Sequence, residues 1–366
     1  MTQPRSTRSP LLSWTILVPV AAVIALGLAW GRTLPPLLVG IVTVLLAGAV
    51  LAAVHHAEVV AHRVGEPLGS LVLAVAVTVI EVALIVTLMI AGAGTSETLA
   101  RDTVFAAVIL TCNGIVGLSI LVGTRRGSAV SFNAEGSGAA LATVATLSTL
   151  GLVVPTFTTS RPGPVFSPAQ LAFSAITALA LYGLFVTLQT GWHRNYFLPV
   201  EVGMADAGLH TNAPSTRAAL GSLAVLLVAL IDVVGNAKLV SPAIERVVAA
   251  AGLPLSVVGV IIAMLILLPE TLAAVRAARR GRMQISLNLA FGSAMASIGL
   301  TIPAIAVASI WLPVPLHLGL SATHIVLLAL TCLVTVLTVV PGRATLLQAC
   351  VHLALLAAYL FLTISP

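Results

Sequence analysis

Apolar residues in this chain neither alternate with polar ones nor keep to one helical stripe. They run on for long stretches, from one end of the sequence to the other. A helix needs about 20 such residues to cross ~30 Å of hydrocarbon. Reading windows of that length predicts eleven spans, near 11–30, 34–56, 68–91, 102–122, 139–159, 168–190, 217–235, 253–275, 286–310, 320–340 and 344–364. The expected class is therefore an all-α polytopic membrane protein. The first run follows Arg5 and Arg8 and is longer than the apolar core of a signal peptide, so it is read as a true span.

Without the first span ten remain. The longest polar connection, "GWHRNYFLPVEVGMADAGLHTNAPSTR", falls between the fifth and sixth of them. The organisation expected is a tail with one extra helix (1–33), a first five-helix repeat (34–190), a cytoplasmic connecting loop (191–216) and a second five-helix repeat (217–366). Five is odd, so two like halves must enter the bilayer from opposite sides. Such inverted repeats are common among secondary transporters.

Composition agrees, with 59% hydrophobic and 8% charged residues. With the N-terminus cytoplasmic, twelve of the 17 Lys and Arg residues fall on the inner side, as the positive-inside rule requires. That bias, with a shortage of acids, accounts for the net charge of +6, so membrane lipid is the expected partner and nucleic acid is not. The expected location is a bacterial inner membrane. Cys112, Cys332 and Cys350 all lie in spans without CxxC spacing, which suggests core thiols rather than a disulfide or zinc site. No cofactor is indicated.

Against this background "LVLAVAVTVIEVALIVTLM", residues 71–89, carries a single ionisable group, Glu81. The inverted plan predicts a counterpart in the second helix of the other half. There the lone acid of "LPLSVVGVIIAMLILLPETLAAV" is Glu270, 189 positions further on. An ionised acid at the centre of a span costs about 2.5–3.5 kcal/mol on insertion scales. The bland reading is a protonated glutamate joining two helices by a hydrogen bond. The functional one pairs the carboxylates near the midplane, where they neutralise themselves with protons, a divalent cation or monovalent cations. Competition between cation and proton for one site is then the basis of antiport.

Oxygen ligands are available nearby. Pro269 has no N–H, so the carbonyl of Leu265 loses its helical donor, and a broken helix there could offer backbone oxygen to an ion. The next span brings Asn288, Ser293, Ser297 and Thr301, with Gly292 and Ala296 as a small-xxx-small contact face. Asn113, in the third helix of the first half, is either a ligand or an interhelical hydrogen bond.

At these residues the chain resembles the cation/proton exchangers of the calcium/cation antiporter superfamily, and among them the bacterial calcium/proton antiporters of the ChaA type. The pieces that carry the resemblance are "GEPLGSLVLAVAVTVIEV" (65–82) and "LLPETLAAVRAARRGRMQISLNLAFGSAMASIGLTIP" (267–303). It implies a ten-helix core in which one acid from each repeat, at Glu81 and Glu270, binds Ca²⁺ and exchanges it for protons, with Ser293 as the small polar residue of a Gly-Ser signature. Two departures bear on the ion. The wider family has Gly-Asn-Ala before each acid where this chain has "VTVI" and "ILLP", and a Gln common after the Gly-Ser signature is Ala296 here. Na⁺ or K⁺ exchange at the same site is the alternative.

Three other groups compete for a role. His55, Glu58 and His62 fall at i, i+3 and i+7, a spacing open to a metal, to a proton or cation vestibule, or to a plain interfacial helix end. They are the only foothold for a membrane-embedded metal enzyme, since no HExxH, phosphate-binding glycine loop or nucleophile motif occurs. Asp232 is a third acid at membrane depth, placed by the windows near the outer end of its span and open to a part in the ion pathway. His324 and His352 read as packed core residues.

Overall fold

The computed structural model describes residues 13–32, 34–64, 68–91, 97–124, 129–198, 214–254, 256–311 and 316–365. Arg5, Arg8, Arg125, Arg126 and most of the 191–216 connection lie outside them. The described residues form eleven helices, one for each expected span. They are α1 (Trp14–Ala29), α2 (Pro36–Val64), α3 (Leu68–Ala91), α4 (Leu99–Gly123), α5 (Ala134–Phe157) and α6 (Pro168–Trp192), followed by α7 (Thr216–Ala250), α8 (Ser256–Arg279), α9 (Met283–Ala308), α10 (Ala322–Val339) and α11 (Leu346–Ile364). Two compact bodies divide the chain, one drawn from Met1–Thr87 and His210–Ile244, the other from Leu88–Leu209 and Glu245–Pro366.

In the first body α1 lies along α2, and Gly48 lets them approach so closely that a Cβ there would stand 2.6 Å from Val18 Cγ1. Pro19 interrupts the hydrogen bonding of α1 and frees the Thr15 carbonyl. His56, buried on α2, meets that oxygen with Nε2 at 3.1 Å, which fixes the hydrogen on Nε2. Arg63 donates to the Thr216 hydroxyl at 2.8 Å and ties the end of α2 to the start of α7. Leu26 of α1 packs on Gly235 of α7, and Lys238 sits 5.8 Å from the ring centre of Trp30.

The second body is built around α9, whose Phe291, Met295 and Ile298 are wholly enclosed. It packs on α4, α5, α6 and α8, while α11 packs on α4. Counting α2 to α6 against α7 to α11, the contact of α9 with α6 is the counterpart of that between α4 and α11. The two halves also share their helix starts. Ser167 and Gln170 form a capping box before α6, with the Ser167 N–H donating to Gln170 Oε1 at 2.9 Å, and Thr345 with Gln348 forms another before α11. A short antiparallel ribbon pairs Val130 with Ala344 and Ser131 with Arg343.

Three helices contain wide π turns, at Leu110–Ile115 in α4, Thr149–Val153 in α5 and Leu188–Trp192 in α6. Proline produces no comparable break in α8. That helix stays regular from Ser256 to Arg279 through Pro269, so the expected broken helix is not there. The loss of one hydrogen bond at Leu265 is absorbed within a continuous helix whose neighbours α4 and α9 hold it in place.

Candidate functional site

Glu81 and Glu270 belong to different bodies, and each has its own surroundings. Glu81 lies in the middle of α3 and is 4% exposed. Thr78, buried one turn earlier, shares its face, and Ile80, Leu84 and Ile85 of the same helix are buried as well.

Glu270 stands on α8 directly after Pro269 and is half-buried. The helix that carries it is held on the N-terminal side of the residue. One turn earlier, Leu267 receives the Thr271 hydroxyl on its carbonyl at 2.7 Å. Further toward the N-terminus Gly259 presses on α4, where a Cβ would come within 3.0 Å of the backbone of Asp102 and Thr103. Leu265 is half-buried on the same helix.

Asn113 lies in the π turn of α4, and both ends of its amide are taken. Nδ2 donates to Thr331 Oγ1 at 2.9 Å, and Oδ1 lies 3.1 Å from His352 Nδ1. With Nδ1 carrying the hydrogen, His352 Nε2 is an acceptor 3.1 Å from the Thr338 hydroxyl, which shares its one hydrogen with the Val334 carbonyl at 2.9 Å. The group ties α4 to α10 and α11 and is fully buried. His352, read from the sequence as a packed residue, is a hydrogen-bonded centre of this network.

On α9 the small residues act differently from expectation. Among the described residues nothing lies within 4 Å of a Cβ built at Gly292, and it is Gly299 that meets a neighbour, Tyr182 of α6, at 2.8 Å. The close helix contact is thus two turns from Gly292 and one turn from Ala296. Ser293 is half-buried, Ser297 and Thr301 are buried, and Asn288 donates to the Phe197 carbonyl at 2.7 Å.

The His55/Glu58/His62 cluster does not form a metal site. Among the described residues no three His, Cys, Asp or Glu side chains are placed to hold an ion. The reason is helical rise: two positions seven apart on a straight helix stand about 10 Å apart, far beyond the ~2 Å bonds of a shared metal. His55 and His62 are exposed and Glu58 half-buried, while the unremarked His56 is the buried one.

Two buried acids stand out in the structure. Asp232 is not near an end of its helix, because α7 continues to Ala250 and leaves it at mid-length and 0% exposed. Asp102 was overlooked, standing at the edge of a predicted span. It accepts from Thr98 Oγ1 at 2.9 Å and from Arg101 at 2.8 Å, and Arg101 also reaches the Gly319 carbonyl at 3.1 Å. The adjacent Arg-Asp pair in an otherwise apolar run was the available signal.

Comparison with known proteins places this arrangement. Residues 34–191 and 221–365 match the family described as sodium/calcium exchanger protein. The chain is 43% identical to the proposed ionic transporter y4hA of Sinorhizobium fredii, across 100% of this chain and 99% of that protein. It is 33% identical to the sodium-potassium/proton antiporter ChaA of Escherichia coli, across 94% of each. Among solved structures, native YfkE superposes with a TM-score of 0.71 at 17% identity, covering 96% of this chain and 99% of that one. The H⁺/Ca²⁺ exchanger CAX gives 0.69 at 18%, covering 94% and 86%. This chain, an integral membrane protein with the exchanger fold, belongs to the sodium/calcium exchanger family.

Proposed function

We propose that the protein is a secondary transporter that exchanges Ca²⁺ for protons by alternating access, with Glu81 and Glu270 as the shared ion- and proton-binding groups. The observation that carries the reading is the placement of these two acids. Each is the only acid of its apolar helix, each helix is the second of its five, and Glu81 is buried. The two segments matched by the family, one in each half, support the inverted repeat on which the pairing depends.

Two carboxylates carry two negative charges, so one Ca²⁺ or two protons neutralise them equally. A cation can bind only as the protons leave, and their return displaces it. Ser293, on the helix that packs against that of Glu270, is the further oxygen ligand in this reading. Asn113 is less available, since its amide already serves Thr331 and His352.

Exchange of Na⁺ or K⁺ at the same site is a second reading, favoured by the ChaA relative, which is named for sodium, potassium and protons. The deciding experiment loads proteoliposomes with acid and adds Ca²⁺, Na⁺ or K⁺ outside. Proton efflux on addition ranks the ions. Glu81→Gln and Glu270→Gln should each reduce it at least tenfold, and efflux that persists in both variants would remove the glutamates from the mechanism.

A further inference from the structure

Asp232 and Asn236 lie one turn apart on α7, and both are 0% exposed. The Asn236 amide nitrogen donates to the Asp232 carbonyl at 3.0 Å and to the Ala22 carbonyl of α1 at 3.4 Å. That leaves three oxygens, both of the Asp232 carboxyl and Oδ1 of Asn236, buried with no hydrogen-bond donor among the described residues. Each such atom destabilises the fold if left unsatisfied, and an ionised carboxylate does so more strongly.

A set made only of acceptors lacks positive charge or a hydrogen. We propose that Asp232 is a proton-binding site of the first body, its carboxylic hydrogen donated to Asn236 Oδ1, separate from the glutamate pair. One proton on the carboxyl supplies the missing donor and removes the charge. A metal ion fits less well, since three oxygens fall short of the six to eight that Ca²⁺ takes.

The charged groups of the neighbouring elements do not substitute for a proton. α1, which covers this part of α7 through Ala22 and Leu26, contains no titratable side chain. Those of α2 are confined to His55–Arg63, and Arg63 is held at Thr216, sixteen residues before Asp232. His56 is directed at the Thr15 carbonyl. On α7 itself Lys238 is turned to Trp30, Arg217 and Arg246 stand about four turns from Asp232, and among the described residues the other buried carboxyl of this body is Glu81 on α3.

The test is infrared difference spectroscopy of the full-length protein in lipid, titrated from acid to alkaline pH. A carboxylic C=O band that Asp232→Asn removes, and that fades reversibly as pH rises, is the expected result. Asn236→Leu should move the same band to higher frequency by taking away its acceptor, which keeps the test decisive if Asp232→Asn fails to fold. A spectrum with no such band, or a band that does not respond to pH, overturns the proposal. So does displacement of the band by Na⁺, K⁺ or Ca²⁺ at fixed pH in a Glu81→Gln, Glu270→Gln background, which would mean that the oxygens take a metal ion. The readout is independent of transport, so it stands or falls apart from the exchange mechanism.

Discussion

Both ends of the Asn113 amide are held by neighbours, and that decides what a substitution there does. In Asn113→Leu the Nδ1–H of His352 and the Thr331 hydroxyl lose their partner inside a sealed core. The expected loss of stability is about 1–3 kcal/mol, read as a lower unfolding temperature in detergent. His352→Ala should cost a similar amount, and the double variant should cost less than the sum, because both remove the same hydrogen bond. A ligand role predicts another pattern, with ion affinity falling in Asn113→Leu and unaltered in His352→Ala. The sequence marked Asn113 but gave no sign of its partners, which come from helices more than two hundred residues away. Asp232 shows the same limit. Its residue type was legible, whereas its depth depended on where α7 ended.

At the scale of helices the apolar runs were a sound guide to number and order, and a poor one to length. Hydropathy windows stop where polar residues begin, but α2 continues through His62 and α7 through Lys238 and Arg246. Those side chains find partners, Arg63 at Thr216 and Lys238 at Trp30, so the backbone has no reason to leave the helix. Glycine packing was equally hidden, since spacing cannot say which glycine faces a neighbour. Substitution separates them. Gly259→Val drives a side chain into the backbone of α4 and should destabilise by about 1–3 kcal/mol, whereas Gly292→Val, which meets nothing within 4 Å among the described residues, should stay within about 0.5 kcal/mol. Equal effects at the two sites in thermal unfolding would contradict this packing.

For the whole molecule, the inner-side bias of Lys and Arg makes a topological prediction. A single cysteine at Arg280→Cys, in a background with Cys112, Cys332 and Cys350 replaced by Ala, should react with a membrane-impermeant thiol reagent in everted vesicles and not in intact cells. Reaction in intact cells only would turn the chain over and place the N-terminus outside. The family match begins at residue 34, so α1 lies before the matched region, and it is held by contacts with α2 and α7. Its tie to His56 depends on a proline, a feature no hydropathy reading could value.

The π turn of α4 has a counterpart position in α9, but α9 is regular there. A π turn holds about one residue more than the α-helical turns it replaces, so the side chains beyond it are rotated by about 100° relative to an unbroken helix. Before Leu110 the two helices can be superimposed at a constant spacing in the sequence; after Ile115 that spacing must shrink by one. A residue copied from one half to the other without this correction arrives on the wrong side of its helix. A mutational scan along α4 should register the same slip as a break in phase, with the tolerant positions before Leu110 and those after Ile115 falling on two different helical rhythms.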